Sequence, residues 1–127
     1  MIYYRDSRLL REATKRHPIL IAVMHDLDLV AEMLGWKKVV VTSIYRTLGE
    51  NRAAKAKTLI HCMTPHRAAD VRIRDVDPGL VERVGRELNR RWLYDLERPT
   101  LSVAFWEPHG DGPHLHVQVH PHTGRRA

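Results

Sequence analysis

The sequence predicts a single α+β domain in which N-terminal helices pack on a mainly antiparallel sheet. Helical periodicity is gathered early in the chain, and short runs rich in β-branched residues are gathered late. Elements that segregate in this way are typical of α+β domains. The 127 residues are enough for one hydrophobic core, and no linker or repeat divides them. We therefore treat residues 1–127 as one domain, with a helical part at 1–35 and a motif-bearing part at 37–120.

The helical part is expected to contain two helices. A short, arginine-rich helix is predicted over residues 7–16, because the residue before Pro18 disfavours helical backbone. Pro18 itself suits the first turn of a longer helix that ends at Leu34, with Gly35 as its C-terminal stop. Apolar residues recur at helical spacing in this second helix, which predicts one buried face: Leu20, Met24, Leu27, Ala31 and Leu34.

The motif-bearing part is expected to supply the sheet. Four strands are predicted from β-branched or alternating apolar residues: 37–44, 67–73, 100–106 and 114–119. Residues 48–57 fit either a short helix or a loop, and an amphipathic helix is predicted over 78–92. A loop rich in glycine and proline separates the last two strands.

Composition excludes several classes of protein. The single cysteine, Cys62, cannot form an internal disulfide, and the longest apolar run, Ile19–Met24, is too short to span a bilayer. No secretory signal is visible at the N-terminus, so synthesis in the cytoplasm and no membrane partner are expected.

The formal net charge of +6 favours anionic partners, such as nucleic acid or cell-wall polymer. Nucleic acid is the weaker of these two predictions. The Glu82–Arg86 and Glu87–Arg91 spacings allow charges on the 78–92 helix to pair with one another. Aromatic residues make up only 6% of the chain, and no base-stacking pattern alternates with the arginines.

Histidine is concentrated near the C-terminus, where five of the nine histidines fall within fourteen residues: His109, His114, His116, His120 and His122. On a strand, His114 and His116 face the same side, opposite Leu115 and Val117. Two imidazoles about 7 Å apart at the backbone can converge on one metal ion. The alternative is a solvated sheet face that happens to carry histidine. His120 and His122 flank a proline after the strand and are expected to be solvated.

Asp70 is an acidic residue within a short apolar strand, and it therefore requires a partner. A metal ion is one answer, and an ion pair with Arg72 or Arg74 is the other. Among nearby histidines, His66 is some 13 Å away along a continuous strand, which is too far for one ion. His61 lies before a Thr-Pro turn that can fold the chain back beside Asp70, so His61 is the preferred ligand and His66 the alternate.

Two carboxylates, Glu107 and Asp111, precede the histidine strand. A carboxylate beside an activated water can take its proton and pass it to a leaving amine, although Asp111 also fits ordinary turn chemistry. Arg46 follows the first strand of the motif-bearing part and can form a paired hydrogen bond with a carboxylate of substrate or protein.

Three short motifs follow one another along the chain. They are Ser43-Ile-Tyr45-Arg46, a histidine shortly before Arg-Ala-Ala-Asp70, and Pro-His114-Leu-His116 at the start of the last predicted strand. In this combination the chain resembles the zinc D-alanyl-D-alanine peptidases. That family includes carboxypeptidases, dipeptidases and phage endolysins that cut L-alanyl-D-glutamate bonds, and the hedgehog signalling domain shares its fold. The resemblance covers residues 37–120 and is strongest to small phage-encoded members.

The resemblance implies a zinc ion held by a histidine, Asp70 and a second histidine, with a fourth position for water. Either His116 is the last ligand and His114 a catalytic helper, or His114 is the ligand and Asp111 the base. Arg46, with Ser43 and Tyr45, would bind substrate. The family pattern places its first histidine seven positions before the aspartate, where this chain has Met63, so His61 and His66 are the substitutes.

The function that the resemblance implies is a zinc-dependent peptidase acting on peptidoglycan stem peptides. Such an enzyme would be made in the bacterial cytoplasm and would act at the cell wall, or would be associated with a phage virion. The alternative is a catalytically degenerate virion or assembly protein that uses the same fold and contacts other virion proteins.

Overall fold

Two long helices cover one face of a central sheet in the computed structural model, which describes residues 1–45, 48–53, 58–107 and 113–126. Within these residues the protein is a small α+β domain. Its helices are α1 (Ser7–Ala13), α2 (Pro18–Leu34), α3 (Leu48–Ala53) and α4 (Pro78–Arg91), with a 3₁₀ turn at Ile60–Cys62. No helix in the described ranges is both long enough and apolar enough to cross a membrane.

The central sheet is mixed rather than purely antiparallel. Its strands are β1 (Ile2–Tyr4), β2 (Val39–Ser43), β3 (Ala68–Arg72), β5 (Ala104–Glu107) and β6 (His114–Gln118). They lie in the order β1-β2-β3-β6-β5, and only the β1–β2 pairing is parallel. A separate two-stranded sheet pairs β4 (Trp92–Leu93) with β7 (Gly124–Arg125). The sequence did not predict β1, because three residues are too few to establish an alternating pattern.

The predicted bounds of α2 are confirmed. Its first turn begins at Pro18, and His17 Nδ1 caps it by accepting a hydrogen bond from the Ile19 backbone N–H. It ends because Gly35 has a φ of 100°, a left-handed conformation that glycine adopts without steric cost. The predicted 7–16 helix is shorter than expected and ends at Ala13.

Other boundaries also differ from the sequence prediction. The 78–92 helix ends at Arg91, because Trp92 adopts extended backbone and begins β4. The strand expected at 100–106 begins only at Ala104. Of residues 48–57, the structure describes a helix as far as Ala53.

The core lies between the sheet and the helices α2 and α4. Leu20, Leu27, Val84 and Leu88 are buried from the helix side, and they belong to the same apolar cluster as the inward-facing residues of the sheet. From β3 and β6 these inward residues are Ala69, Val71, Leu115 and Val117. Since alternate residues of a strand face opposite sides, the neighbours of these residues must project from the other face of the sheet.

A buried carboxylate ties α2 to the end of α4 and to the C-terminus. Asp26 accepts hydrogen bonds from the Arg91 guanidinium at 3.0 Å and from the Trp92 indole N–H at 2.9 Å. Arg125 of β7 also lies 3.4 Å from the Asp26 carboxylate and stacks over the Trp92 ring. This cluster orients the last residues of the chain.

We expect Asp26→Ala to lower the free energy of unfolding by about 2–3 kcal/mol, because it leaves the buried Trp92 indole N–H without its acceptor and the partly buried Arg91 guanidinium with Glu87 alone. Urea denaturation monitored by circular dichroism measures this change. The matched control is Glu82→Ala, which removes an exposed ion pair with Arg86 and should cost less than about 1 kcal/mol. Equal effects of the two substitutions would contradict the structural role of Asp26.

Candidate metal centre

The sheet register aligns four side chains in one row on the face opposite the helices. Ser43 of β2 pairs with Asp70 of β3, Asp70 pairs with His116 of β6, and His116 pairs with Phe105 of β5. An irregularity in β2 between Val41 and Ser43 allows this register while Val41 still faces the core. Directly paired residues project from the same face, so the row brings Asp70 beside His116.

His61 reaches the same point from outside the sheet. It lies in the 3₁₀ turn Ile60–Cys62, and its Nε2 is 3.2 Å from Asp70 Oδ1. The segment after it is held by the α1–α2 connection, because the His66 backbone N–H donates to Lys15 O and its carbonyl accepts from the His17 N–H. The chain thus folds back between His61 and Asp70, as the Thr-Pro turn suggested.

Three imidazoles surround one carboxylate oxygen. His61 Nε2 and His114 Nε2 each lie 3.2 Å from Asp70 Oδ1, and His116 Nδ1 lies 3.1 Å from it. All four side chains are buried, with exposed fractions between 3% and 8%. His114 and His116 therefore do not lie on the solvated sheet face that the sequence left open as the alternative to a metal site.

The three histidines favour the ionised form of Asp70. Burial raises the pKa of this carboxyl, but hydrogen bonds donated by His114, His116 and His61 outweigh burial and hold the pKa well below its usual range. For His61 and His116, donating such a bond requires a second ring proton, as their outer contacts show. The arginine alternatives do not contribute. Arg72 donates two hydrogen bonds to Asp75 instead, at 3.0 and 2.9 Å, and Arg74 borders a groove of about 770 Å³ between α4 and β5.

In His61 and His116, the hydrogen bond made by the ring nitrogen that points away from Asp70 determines whether the other nitrogen carries a proton. His61 Nδ1 lies 3.0 Å from the Ile44 carbonyl, which can only accept, so the ring proton is on Nδ1. His116 Nε2 lies 3.1 Å from Gln118 Oε1, and the Gln118 amide is oriented because its NH₂ group donates to the Ser102 carbonyl at 3.2 Å. In their neutral forms, both rings therefore direct a lone pair at the Asp70 carboxylate.

Two lone pairs and a carboxylate oxygen at these distances repel one another unless a positive charge lies among them. A second proton on each ring would supply that charge, at the cost of burying two imidazolium ions beside one carboxylate. A single cation that accepts both lone pairs and the carboxylate removes the conflict. The nitrogen–oxygen separations of 3.1–3.2 Å are close to the edge of about 3.3 Å expected for a tetrahedral zinc site.

The alternate ligand His66 lies elsewhere. It is buried, its Nδ1 donates to the Met63 carbonyl at 3.1 Å, and its ring packs on Tyr45 with centroids 4.9 Å apart. Its backbone bonds to the α1–α2 connection direct it away from Asp70. Tyr45, which was expected to bind substrate, packs against the His66 ring. Ser43, expected to have the same role, is the cross-strand neighbour of Asp70.

The structure does not describe the side chains of the remaining predicted site residues. Arg46 and Asp111 fall outside the described residues. The backbone of Glu107 pairs with that of His114, but its side chain is outside what the structure describes. The roles predicted for these three residues stay predictions.

Two contributors to the site were not predicted. Gln118 lies on the histidine face by strand alternation, but only its contacts with His116 and Ser102 give it a role. The Phe105 ring lies 4.7 Å from the His116 ring, centroid to centroid, and is 37% exposed. Recognising Phe105 required the pairing of β5 with β6, which the sequence pattern does not specify.

The donor set is compatible with a transition-metal ion. His61, Asp70 and His116 each offer one ligand atom, and these three atoms lie within 4.8 Å of one another. Two imidazole nitrogens and one carboxylate oxygen suit zinc, and they leave a fourth position in its preferred tetrahedron. Comparison with protein-family models, with curated proteins and with solved structures finds no match to this chain.

Proposed function

We propose that the protein is a zinc-dependent peptidase that hydrolyses peptide bonds in peptidoglycan stem peptides, with His61, Asp70 and His116 as the zinc ligands. The observation that carries the proposal is the convergence of three imidazoles on one buried carboxylate oxygen, with the outer nitrogens of two of these rings bonded to carbonyl acceptors. A cation at this point would be shared by the carboxylate and the inner nitrogens of those two rings. When bound there, zinc supplies the Lewis acidity that activates water for attack on a peptide carbonyl.

The residues around the ligands have separate roles in this proposal. The Ile44 carbonyl and Gln118 orient the two imidazoles, as outer partners of metal-bound histidine commonly do. His114, which contacts the same carboxylate oxygen, is the alternate ligand or a catalytic helper. Phe105 is the partly exposed ring beside His116, and it would contact a bound peptide.

The proton transfers are assigned to Asp111 or Glu107, and substrate binding to Arg46 with Ser43, on the resemblance to the zinc D-alanyl-D-alanine peptidases. The choice of a wall peptide rests on the same motifs, and the net charge of +6 is compatible with an anionic wall polymer.

The charges on α4 do not favour nucleic acid. Arg90 and Arg91 both bond to Glu87 and lower its pKa to about 2, and Arg86 pairs with Glu82. These arginine charges are therefore partly compensated within the helix itself.

A structural role for the same metal is the second candidate. It is favoured by the burial of the ligands, because a closed metal site can stabilise a fold without catalysis. In that case the protein would be a virion or assembly protein that has kept the fold and not the activity.

We expect the purified protein to retain about one tightly bound zinc ion per chain through gel filtration, measured by elemental analysis. Asp70→Asn should lose this zinc, because it removes the carboxylate that both imidazoles face. His66→Ala is the matched control, since it removes a buried histidine that contacts Met63 and Tyr45 instead. Retention of zinc by Asp70→Asn, or its absence from the wild type, would overturn the ligand assignment.

Gln118→Leu should weaken zinc binding about 10–100-fold, because His116 loses the acceptor that keeps its proton on Nε2. Competition with a chelator of known affinity measures the change. Gln118→Glu keeps an acceptor at this position and should bind zinc within a few-fold of the wild type. Equal weakening by both substitutions would mean that Gln118 acts through packing alone.

Incubation with purified peptidoglycan should release new amino groups, and a chelator should abolish the release. Asp70→Asn and His116→Ala should be inactive, whereas His66→Ala should keep most of the activity if it folds. Zinc retained without any release of amino groups would reject the peptidase and favour the structural role.

A further inference from the structure

A second group of metal-capable side chains lies between the loop after β4 and the segment after β6. It consists of Asp95, His120 and His122, whose ligand atoms lie within 4.8 Å of one another. The Asp95 side chain is only 4% exposed, His120 is 24% exposed, and His122 is exposed. Of the two histidines expected to be solvated, His122 is exposed and His120 is partly buried.

The backbone holds this group in place. Thr123 Oγ1 donates to the Tyr94 carbonyl and accepts a hydrogen bond from the His120 backbone N–H. The His122 N–H donates to His120 Nδ1 at 3.1 Å, and the two rings meet edge to face with centroids 5.0 Å apart. The bond from Thr123 to Tyr94 connects the segment that carries the histidines to the one that carries Asp95, so Asp95 and His120 are neighbours without an ion.

Hydrogen bonds and burial act on the two less exposed side chains. The backbone N–H of Glu97 and the Arg98 guanidinium lower the pKa of Asp95, and burial lowers the pKa of His120. Since His120 Nδ1 accepts a backbone N–H, it carries a lone pair, and it lies 3.9 Å from Asp95 Oδ2. That separation leaves room for an ion between the two atoms.

We propose that Asp95, His120 and His122 form a second, independent site for a divalent late transition-metal ion such as zinc. Two imidazoles and one carboxylate are the donors that such ions prefer. The ion would take the His120 Nδ1 lone pair in place of the His122 N–H. Arg98, which donates to Asp95 at 2.8 Å, is 54% exposed and can turn to solvent when the ion binds. Arg67 also lies close enough to oppose a positive ion.

The position of this site gives it a structural consequence. A bound ion would connect the segment after β6 with the loop after β4, next to the β4–β7 pairing. It would restrain the residues after β6, and the contact of Arg125 with Asp26 restrains the same part of the chain. No part of this proposal depends on the first site.

The test is the total number of zinc ions per chain, pre-bound ions included, measured by elemental analysis after equilibrium dialysis against zinc chloride at near-neutral pH. We expect the wild type to bind two ions and the double variant His120→Ala/His122→Ala to bind one. His25→Ala, which removes an exposed histidine of α2, is the control and should bind the same number as the wild type. The proposal is overturned if the double variant binds as many ions as the wild type.

The stoichiometries separate this proposal from the proposed function. If the wild type binds one ion and the double variant binds none, the second site is supported and the first site is rejected. If both proteins bind one ion, the second site is rejected and the first site is supported. As a further readout, zinc should raise the melting temperature of Asp70→Asn, and not that of Asp70→Asn combined with the double substitution. If Asp70→Asn does not fold, the wild-type comparison alone decides.

Discussion

The buried carboxylate of Asp70 is the constraint that organises this protein. An ionised carboxylate inside a sheet is unfavourable unless several donors or a cation surround it. Three separate features bring partners to it: the pairing of β3 with β6, the irregularity in β2, and the 3₁₀ turn that carries His61. A site assembled from three chain segments forms only when the whole fold has formed, so binding of a metal there would be coupled to folding.

The same two strands build the core and the site. On one face of β3 and β6, Ala69, Val71, Leu115 and Val117 are buried among the residues of the core. On the other face, Asp70 and His116 lie side by side. Because a slip of one residue exchanges the two faces, apolar packing against α2 and α4 also selects the register that aligns the ligands. The position of the site is in this sense a consequence of hydrophobic burial.

Sequence patterns predicted the parts of the site that depend on local geometry. Alternation placed His114 and His116 on one face, the apolar neighbours of Asp70 implied a partner, and the Thr-Pro turn favoured His61. The burial of the histidine face and the contact with Phe105 were not predicted, because they depend on which strands pair. The partner of Asp70 in β6 lies 46 residues further along the chain, and no local pattern specifies that pairing. The role of Gln118 depends in turn on a carbonyl of a third segment, that of Ser102.

The two histidine clusters contain the same donor types, yet their surroundings differ. Around Asp70, both outer ring nitrogens are committed to carbonyl acceptors, and the donors are shielded from water. Around Asp95, one histidine is exposed and an arginine competes for the carboxylate. An ion in the first site would lose most of its hydration shell and exchange slowly, whereas an ion in the second would keep water ligands and exchange readily. Preorganisation, rather than ligand identity, therefore distinguishes the two clusters, because the donors around Asp70 are already oriented and shielded whereas those around Asp95 would have to exchange existing partners for an ion.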